Sequence, residues 1–566
     1  CFSPFLLMEN IHSRYSEKLN VQKEKSVIIK FFKYLLHNFL ALNLRFLGVF
    51  IGVGAAFDFA FSLVDGGSLK LSIIAMIAGG ALCFLDVNVT SLLKGSVLIR
   101  LLEKCLDTEF SFNFYYITKC EGNSRLICAG VFGAICGIIC GLASPIYALL
   151  FVAGIFFVSL VLYKVEFGVF ITVFLAPLVP TMAVVGLCLL CLLSLVIKAL
   201  TTKKFTWNLE GTGLMVLVMA IIYFVASLTS FAPVKSVQIW AVYFAFMVFY
   251  FVIINTIKTE KQLFDLLRMF TISAVLVCLY GIAQYIFGWN VTQAWIDEEM
   301  FEDIKMRIYS TLDNPNVLGE YILLALPLCI SLMWTAKKAL PRIIYLGLSA
   351  ILGVALILTF SRGCWLGIMA AAAIFVTFAA GKLWGLGLIA LPLVPFIVPE
   401  SILNRFTSIG DMSDSSTSYR VSIWMGTLLM LKDFWLSGIG LGSEAFTQVY
   451  PFYSYNMVVA QHPHNLFLHI ITESGIIGLL AFLFLILLFF KKMATGVQVF
   501  GKGNKFSVTL IAISSAVTGF LLQGVFDNCF YNYRVFMIFW AVLAIGIAAQ
   551  NITKSVQTDR EGNANA

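Results

Sequence analysis

The sequence predicts an all-α polytopic membrane protein with about 16 transmembrane helices and one large external loop. Of its 566 residues, 60% are hydrophobic and only 12% are charged, and its mean hydropathy is +0.94. Apolar runs near the ~20 residues that cross a bilayer recur along the whole chain. Soluble domains carry about 25% charged residues, so this composition excludes a soluble globular protein.

The apolar runs give the predicted helices in order. We expect spans at about 46–64, 71–89, 126–144, 146–163, 166–179, 181–200, 212–232, 236–256, 267–288, 317–335, 342–360, 363–380, 383–399, 464–490, 507–526 and 534–551. Four of them precede Lys164, and twelve follow it. The polar segment between the spans that end near 399 and begin near 464 is the longest in the chain.

Charge and apolar runs divide the chain into four segments. Residues 1–45 form a basic N-terminal segment, 46–165 a four-helix membrane extension, 166–552 a twelve-helix membrane domain, and 553–566 a polar tail. Cytoplasmic loops are rich in Lys and Arg, which places both termini in the cytoplasm and the loops 289–315 and 400–462 outside. The chain begins with Cys1, and we expect Met8 to be the natural start. The polar, basic residues that follow Met8 do not resemble a cleavable signal peptide.

The net charge of +8 does not indicate a nucleic-acid partner, because basic cytoplasmic loops account for it. The expected surroundings are a lipid bilayer. The 13 cysteines fall mostly inside apolar runs, and none has the context of a zinc ligand. They are therefore interpreted as small core residues.

Three arginines on the predicted external side are candidates for binding an anion. Arg362 lies in FSRGCWLG, Arg420 in SYRVSIW and Arg534 in YNYRVF. Guanidinium groups bind phosphate oxygens bidentately and stay charged, so a cluster of them at the membrane surface suits a lipid diphosphate.

An interfacial arginine can also be a snorkelling anchor or an ion-pair partner. We interpret Arg307 and Arg405 in that way. Arg534 has a structural alternative as well, a pair with Asp527 that would join the last two helices.

The stretch QHPHNLFLHIITESGIIG, residues 461–478, holds the candidate base. The unperturbed pKa of histidine suits proton abstraction from a hydroxyl, and His464 lies where the polar loop meets an apolar run. The alternative is a helix-capping or interface histidine. His462, His464 and His469 lack the i, i+4 spacing of two ligands on one helical face, so no metal site is predicted.

A second polar group, TLDNPNVLGEY at 311–321, precedes a membrane helix. Asn314 and Asn316 flank Pro315 in a sequence typical of a helix cap, and capping alone explains them. On the external side they could also contact sugar hydroxyls, and we count Asn314, Asn316 and Asn465 with Arg534 as candidate substrate-binding residues.

Together these motifs resemble the bacterial O-antigen ligase and O-antigen polymerase superfamily. The signature His-Asn, nine residues, Gly, two residues, Gly is present as His464, Asn465, Gly475 and Gly478. FSRGCWLG, STLDNPNVLGEY, YRVSIW and GIGLGSEAF are similar to further stretches of the family, in the family's order. The resemblance covers about 166–551 and leaves residues 1–165 without a predicted function.

The resemblance implies a membrane glycosyltransferase of the GT-C type. Such an enzyme transfers a glycan from undecaprenyl diphosphate to an acceptor hydroxyl on a glycan or lipid, at the outer face of the bacterial cytoplasmic membrane, without metal or cofactor. His464 would activate the acceptor, and Arg362 and Arg420 would hold the diphosphate. Direct displacement would invert the anomeric centre. The acceptor, which separates a ligase from a polymerase, and the oligomeric state are left open.

Two other functions stay open at this point. One is a transporter of a small anion. Two features argue against it: we find no internal repeat, and few charged residues lie at mid-membrane depth, of which Asp58 is the clearest. The other is a non-catalytic polysaccharide-assembly protein, against which the presence of His464, Arg362 and Arg420 argues.

Overall fold

A computed structural model describes residues 43–564, except 66–68, 86, 88–95, 110–123, 203–204, 290–305, 391, 393–398, 409, 412–413 and 502. The predicted basic segment 1–45 therefore lies almost wholly outside the described residues. The same holds for the acidic part of the predicted loop 289–315 and for most of the second half of the predicted span 383–399.

The described residues fold into helices and contain no strand element. The α-helices are α1 Leu44–Asp65, α2 Leu69–Cys83, α3 Val97–Leu106, α4 Ser124–Leu142, α5 Pro145–Tyr163, α6 Val165–Leu175, α7 Thr181–Thr201, α8 Gly211–Leu228, α9 Pro233–Thr256, α10 Glu260–Phe287, α11 Pro315–Thr335, α12 Ala339–Leu358, α13 Arg362–Ala379, α14 Leu383–Ala390, α15 Glu400–Thr407, α16 Ser415–Phe434, α17 Ser443–Val449, α18 Leu466–Phe500, α19 Lys505–Phe526 and α20 Tyr533–Ala564. Short 3₁₀ turns lie at Ser310–Leu312, Tyr450–Phe452 and Tyr455–Met457.

Twelve of the described helices are long and apolar enough to cross a membrane. This confirms the all-α, multi-pass fold. Three more predicted spans correspond to shorter apolar helices, α2, α4 and α6. The predicted span at 383–399 begins as α14, which ends at Ala390. The total of 16 therefore stays a prediction.

The chain forms two compact units. The described parts of Cys1–Gly168 and Leu193–Thr206 make the first unit, and those of Val169–Leu192 and Trp207–Ala566 make the second. In the second unit, α11 and the spanning part of α20 are the most deeply buried spans. Aromatic side chains fill the space around α20, with Phe539 stacked on Phe520 at 5.0 Å between ring centroids.

Helix α18 is interrupted at Gly475, and this break positions a loop of the second unit. Gly475 has φ +68° and ψ −174°, a conformation that only glycine adopts readily. The opened turn exposes backbone groups, and Ile476 N donates to Trp435 O at 2.8 Å while Ile439 N donates to Thr472 O at 2.7 Å. The glycine-rich segment after α16 is thereby hydrogen-bonded to the interrupted helix. Gly475, the first glycine of the signature motif, is therefore needed for its backbone conformation.

We predict that Gly475→Ala destabilises the protein. A Cβ atom at this position would lie 2.0 Å from Leu436 O, in addition to the unfavourable φ. The backbone strain alone costs about 1–3 kcal/mol. The measurement is the thermal unfolding midpoint of the purified protein in detergent.

Gly347→Ala is the matched control, because a Cβ atom there meets nothing within 4 Å and alanine favours a helix. Equal midpoints for the two variants would contradict the role given to Gly475.

Candidate functional site

A cavity of about 560 Å³ in the second unit brings together residues from distant parts of the chain. It has the size of a small-molecule binding site. Its described lining comprises Arg307, Asn314, Asn316, Val317, Glu320, Arg405, Ser415, Ser416, Tyr419, Arg420, Val459, Ala460, Gln461, His462, His464, Asp527, Asn528 and Tyr531. A smaller cavity of about 50 Å³ shares some of these residues and adds Arg362.

Helix termini build this cavity. Asn314 and Asn465 cap the N-termini of α11 and α18 through their side chains, and Asp414 caps α16. Arg362 is the first residue of α13, and Asp527 follows the last residue of α19. Helix N-termini carry a partial positive charge and unpaired N–H groups, so four of them, from α11, α13, α16 and α18, favour an anion.

The carboxylate of Asp527 lies at the centre of the site, and the side chain is 10% exposed. One of its oxygens contacts His464 Nδ1 at 2.9 Å and accepts from Asn528 N at 2.9 Å. The other accepts from Asn316 Nδ2 at 2.8 Å and from an Arg420 guanidinium nitrogen at 3.3 Å. Burial alone would raise the pKa of Asp527, but the His464 hydrogen bond and the Arg420 charge hold it well below the usual range. Asp527 is therefore an anion that receives hydrogen bonds.

An anionic Asp527 decides which nitrogen of His464 can act as a base. Nδ1 must donate to the carboxylate, so the lone pair of the neutral imidazole is on Nε2. His464 itself has φ +45°, and Trp424 Nε1 donates to its carbonyl oxygen at 3.2 Å. Its amide N donates to His462 Nδ1 at 3.3 Å, and burial lowers the pKa of His462 well below its usual value. His462 is thus a neutral neighbour.

Arg362 is held by a second carboxylate. Asp414, which is completely buried, accepts from Arg362 at 2.8 Å and from Arg405 at 3.2 Å. Arg362 also donates to Ser408 O and Ser416 Oγ at 3.0 and 2.7 Å. Burial opposes the charge on Asp414, yet the bonds from Arg362 and Ser416 lower its pKa to about 2. Arg362 therefore links Ser408, which follows α15, to Asp414 and Ser416 at the start of α16.

Two arginines interpreted from the sequence as membrane anchors or ion-pair partners, Arg307 and Arg405, line the cavity. The Arg307 guanidinium donates to Thr359 O at 2.8 Å and to Asn316 Oδ1 at 2.9 Å. Burial, with the nearby charges of Arg405 and Arg420, lowers the pKa of Arg307 to about 9, which leaves it cationic at neutral pH. For Arg405 the ion-pair alternative is confirmed, because it pairs with Asp414 at 3.2 Å. Arg307 instead binds Thr359 and Asn316 at the wall of the cavity.

The other predicted site residues divide into two groups. Asn314 and Asn316 line the cavity, although Asn314 also caps its helix. Asn465 lies outside the lining described above. Its Oδ1 accepts from Phe467 N and Leu468 N, and its Nδ2 donates to Val525 O at 2.7 Å. The side chain of Asn465 is thus engaged in structure, which favours a capping role over substrate binding.

Arg534 is also outside the described lining, and it does not pair with Asp527 as the sequence suggested. It donates to Asp313 Oδ2 at 3.0 Å and to Thr311 O at 2.8 Å. Arg534 therefore holds the turn before α11, which in turn places Asn314 and Asn316. The expected pair with Asp527 is wrong because Arg420 and His464 occupy that carboxylate.

Sequence reasoning missed Asp414 and the central role of Asp527. The available signal was position: Asp527 ends an apolar run, and Asp414 precedes a helix by one residue. Carboxylates at membrane boundaries are frequently hydrated, so position alone did not distinguish these two. Within the described part of the chain, no group of three or more His, Cys, Asp or Glu side chains could hold a metal ion.

We predict that Asp414→Asn lowers stability at neutral pH, because it leaves Arg362 and Arg405 without their shared countercharge. Breaking a buried ion pair costs on the order of 3 kcal/mol. The folded pKa of Asp414, about 2, lies below its ordinary 3.8, so its contribution is complete above pH 4 and is lost as the pH falls toward 2. Thermal midpoints of variant and wild type should therefore converge at acid pH.

Asp313→Asn is the matched control, since that side chain is 83% exposed and such an ion pair contributes little. Arg534 keeps its hydrogen bond to Thr311 O in this variant. A gap between Asp414→Asn and wild type that stays constant down to pH 2 would contradict the assignment.

Comparisons with known proteins agree with the motifs. The family model described as O-antigen ligase matches residues 347–483, which contain Arg362, Arg420 and His464. An O-antigen ligase of Salmonella typhimurium is 23% identical over 213 residues, which cover 35% of this chain and 51% of that protein. The chain thus matches about half the length of this curated relative. The resemblance drawn from the motifs is confirmed: residues 347–483 of this multi-pass membrane protein match the model of the O-antigen ligase family.

Proposed function

We propose that this protein transfers a glycan from a polyprenyl diphosphate carrier to an acceptor hydroxyl. The observation that carries the proposal is the arrangement of His464, Asp527 and Arg420 in one cavity with further guanidinium groups. A base with a positioning carboxylate lies beside a site suited to an anionic leaving group. That combination fits group transfer from a lipid diphosphate.

Charge supports a diphosphate as the bound group. Four guanidinium groups surround the two cavities, from Arg307, Arg362, Arg405 and Arg420. Three described carboxylates oppose them: Glu320 and Asp527 line the larger cavity, and Asp414 pairs with Arg362 and Arg405. Positive charge is therefore in excess even if every carboxylate is ionised, and the four helix N-termini add to it. A sugar-linked diphosphate carries one negative charge on each phosphate, and it would be attracted by this one excess positive charge together with the partial charges of the helix N-termini.

The chemical step follows from the tautomer of His464. Nε2 accepts the proton of the acceptor hydroxyl while the oxygen attacks the anomeric carbon of the donor sugar. The bond from that carbon to the diphosphate oxygen breaks, and the lipid diphosphate departs with the bonding electrons. Arg420 and Arg307 stabilise the charge that grows on the leaving group. Asp527 stabilises the imidazolium, and one displacement inverts the anomeric centre. The guanidinium groups supply the positive charge that a metal ion would otherwise provide.

Arg420 connects the proposed base with the proposed binding site of the diphosphate. Its guanidinium donates to Asp527, which binds His464, while it also lines the cavity. A planar guanidinium has five donors, so one contact with Asp527 leaves others for phosphate oxygens. Binding of the donor diphosphate would thereby also set the position of the base. Arg362, bound to Asp414, Ser408 and Ser416, would act mainly by positioning the loop.

The membrane arrangement is part of the proposal. Basic loops on one side would place the cavity at the outer face of the cytoplasmic membrane and both termini inside, with twelve helices after Lys164 and four before it. The donor would be an undecaprenyl diphosphate glycan, and the acceptor another glycan or a lipid. The relative from Salmonella typhimurium is described as an O-antigen ligase, which favours a ligase over a polymerase.

We predict that His464→Ala reduces glycan transfer by roughly 10²- to 10⁴-fold, because the acceptor hydroxyl loses its base. The measurement is complementation of a gene-deletion strain, followed by analysis of extracted polyprenyl-linked glycans. The deletion strain and the variant should both accumulate the donor. Accumulated long chains indicate a ligase, and single repeat units indicate a polymerase.

His12→Ala is the control substitution. His12 lies outside the residues that the family model matches, so this variant should restore transfer in the deletion strain. Normal glycan transfer by His464→Ala would contradict the role of His464 as the base. An unchanged lipid pool in the deletion strain would remove the proposed function as a whole.

We also predict that Arg420→Lys is severely impaired, by about 10- to 100-fold. An ammonium group keeps the charge but cannot contact Asp527 and a phosphate with a planar fork. The rate should be measured with purified protein and lipid-linked donor at saturating and limiting concentrations.

Arg268→Lys provides the control, because Arg268 pairs with Asp265 on α10 at 2.7 Å and does not line the described cavity. Wild-type turnover by Arg420→Lys would exclude the role of Arg420 at the diphosphate.

A further inference from the structure

The first compact unit contains a second cavity, of about 310 Å³, that the glycan-transfer site does not use. Its lining comes from α1, α2, α4 and α5 and is almost wholly apolar. The described residues around it are Phe50, Ile51, Gly54, Ala55, Asp58, Leu71, Ser72, Ala75, Cys136, Gly137, Cys140, Pro145, Ala148, Leu149 and Val152. Asp58 is the charged residue among them, and no basic residue belongs to this lining.

Asp58 lies well inside the membrane segment. It is seven residues before the end of α1, which corresponds to about 10 Å at 1.5 Å per residue. One carboxylate oxygen accepts a hydrogen bond from Ser72 Oγ at 2.6 Å, and Ser72 is 2% exposed. Carboxylates in membrane helices are costly and commonly mark a binding site or an ion pathway. The hydroxyl of Ser72 orients the carboxylate of Asp58 but brings no positive charge to it.

Glycine contacts make the walls of this cavity rigid. A Cβ atom at Gly79 would lie 2.5 Å from Gly52 N, and one at Gly137 would lie 2.2 Å from Gly54 O. The backbones of α1, α2 and α4 therefore touch directly, as small residues allow in membrane helices. The cavity is consequently a preformed feature of the packing between these helices.

The cavity is accessible from the apolar surface of the unit. Leu71 and Leu149 belong to its lining and are 65% and 68% exposed. An entering molecule would meet apolar side chains and the partly buried carboxylate of Asp58. The volume is at the lower end of the range for small-molecule sites, roughly 300–1,000 Å³.

We propose that this cavity binds an organic ammonium with an apolar tail, taken up from the membrane. The ammonium group would pair with Asp58, and the tail would lie along Leu71, Leu149 and Val152. A neutral alkyl compound would lose the charge pair, and an alkyl anion would be repelled. This assigns a ligand-binding role to the first compact unit, which lies outside the residues matched by the family model, 347–483.

The test uses the purified full-length protein and carbodiimide coupling. A carbodiimide activates a carboxyl group, and bound dodecylamine then forms an amide with Asp58 while the carbodiimide leaves as a urea. Peptide mass spectrometry should find the adduct at Asp58 and little at Asp107, the internal control at the end of α3. Dodecyltrimethylammonium, which cannot couple, should reduce the adduct at least tenfold, and dodecanol should not.

Because the competition is measured on wild type, it does not depend on the folding of a variant. Asp58→Asn should lose dodecylamine binding while keeping its thermal midpoint. Absence of the adduct, or equal suppression by dodecanol, would overturn the proposal and leave a purely apolar cavity. His464→Ala should couple normally at Asp58, so failure of this site and failure of the transfer site are distinguishable.

Discussion

The carboxylate of Asp527 is the interaction on which the candidate site depends. Four hydrogen bonds converge on it, from His464, Asn316, Arg420 and its neighbour Asn528. Asn316 lies in the first turn of α11, Arg420 lies in the second turn of α16, and His464 lies two residues before α18. A single buried anion therefore fixes the relative positions of these three helices. The anion is stable because positive and hydrogen-bonding groups surround it, and removing any one of them leaves a buried charge less compensated. The same contacts that hold the helix ends together also orient the proposed base.

Asp414 is a second buried carboxylate that joins helix ends near the cavity. It neutralises Arg362 and Arg405 and caps α16, so the segment that carries Arg420 is tied to the start of α13. Thus each carboxylate is shared between basic groups, and the cavity between them keeps an excess of guanidinium charge. This arrangement is suited to an anion that binds and leaves, because no resident carboxylate satisfies all of the arginines.

Residues with strained backbone conformations lie around the same cavity. His464, Asp313 and Phe360 have positive φ, and each lies within two residues of a helix start at the site. Residues in such conformations persist only when their surroundings enforce them, and they are common at functional sites. Here the chain must turn sharply to enter α18, α11 and α13 while presenting side chains to one cavity. The strain is therefore a consequence of bringing several helix N-termini together.

The sequence by itself determined the membrane fold, because runs of about 20 apolar residues have few alternatives in a bilayer. It also determined His464 and Arg420 as candidates, since their motifs and their position after polar loops are local features. Partner choice was decided by tertiary structure: Arg534 binds Asp313 rather than Asp527, and Arg307 enters the cavity. The pair of Arg534 with Asp313 joins residues 221 positions apart, and a charged side chain has no local preference among distant partners. Only packing of the helix ends selects which opposite charges meet.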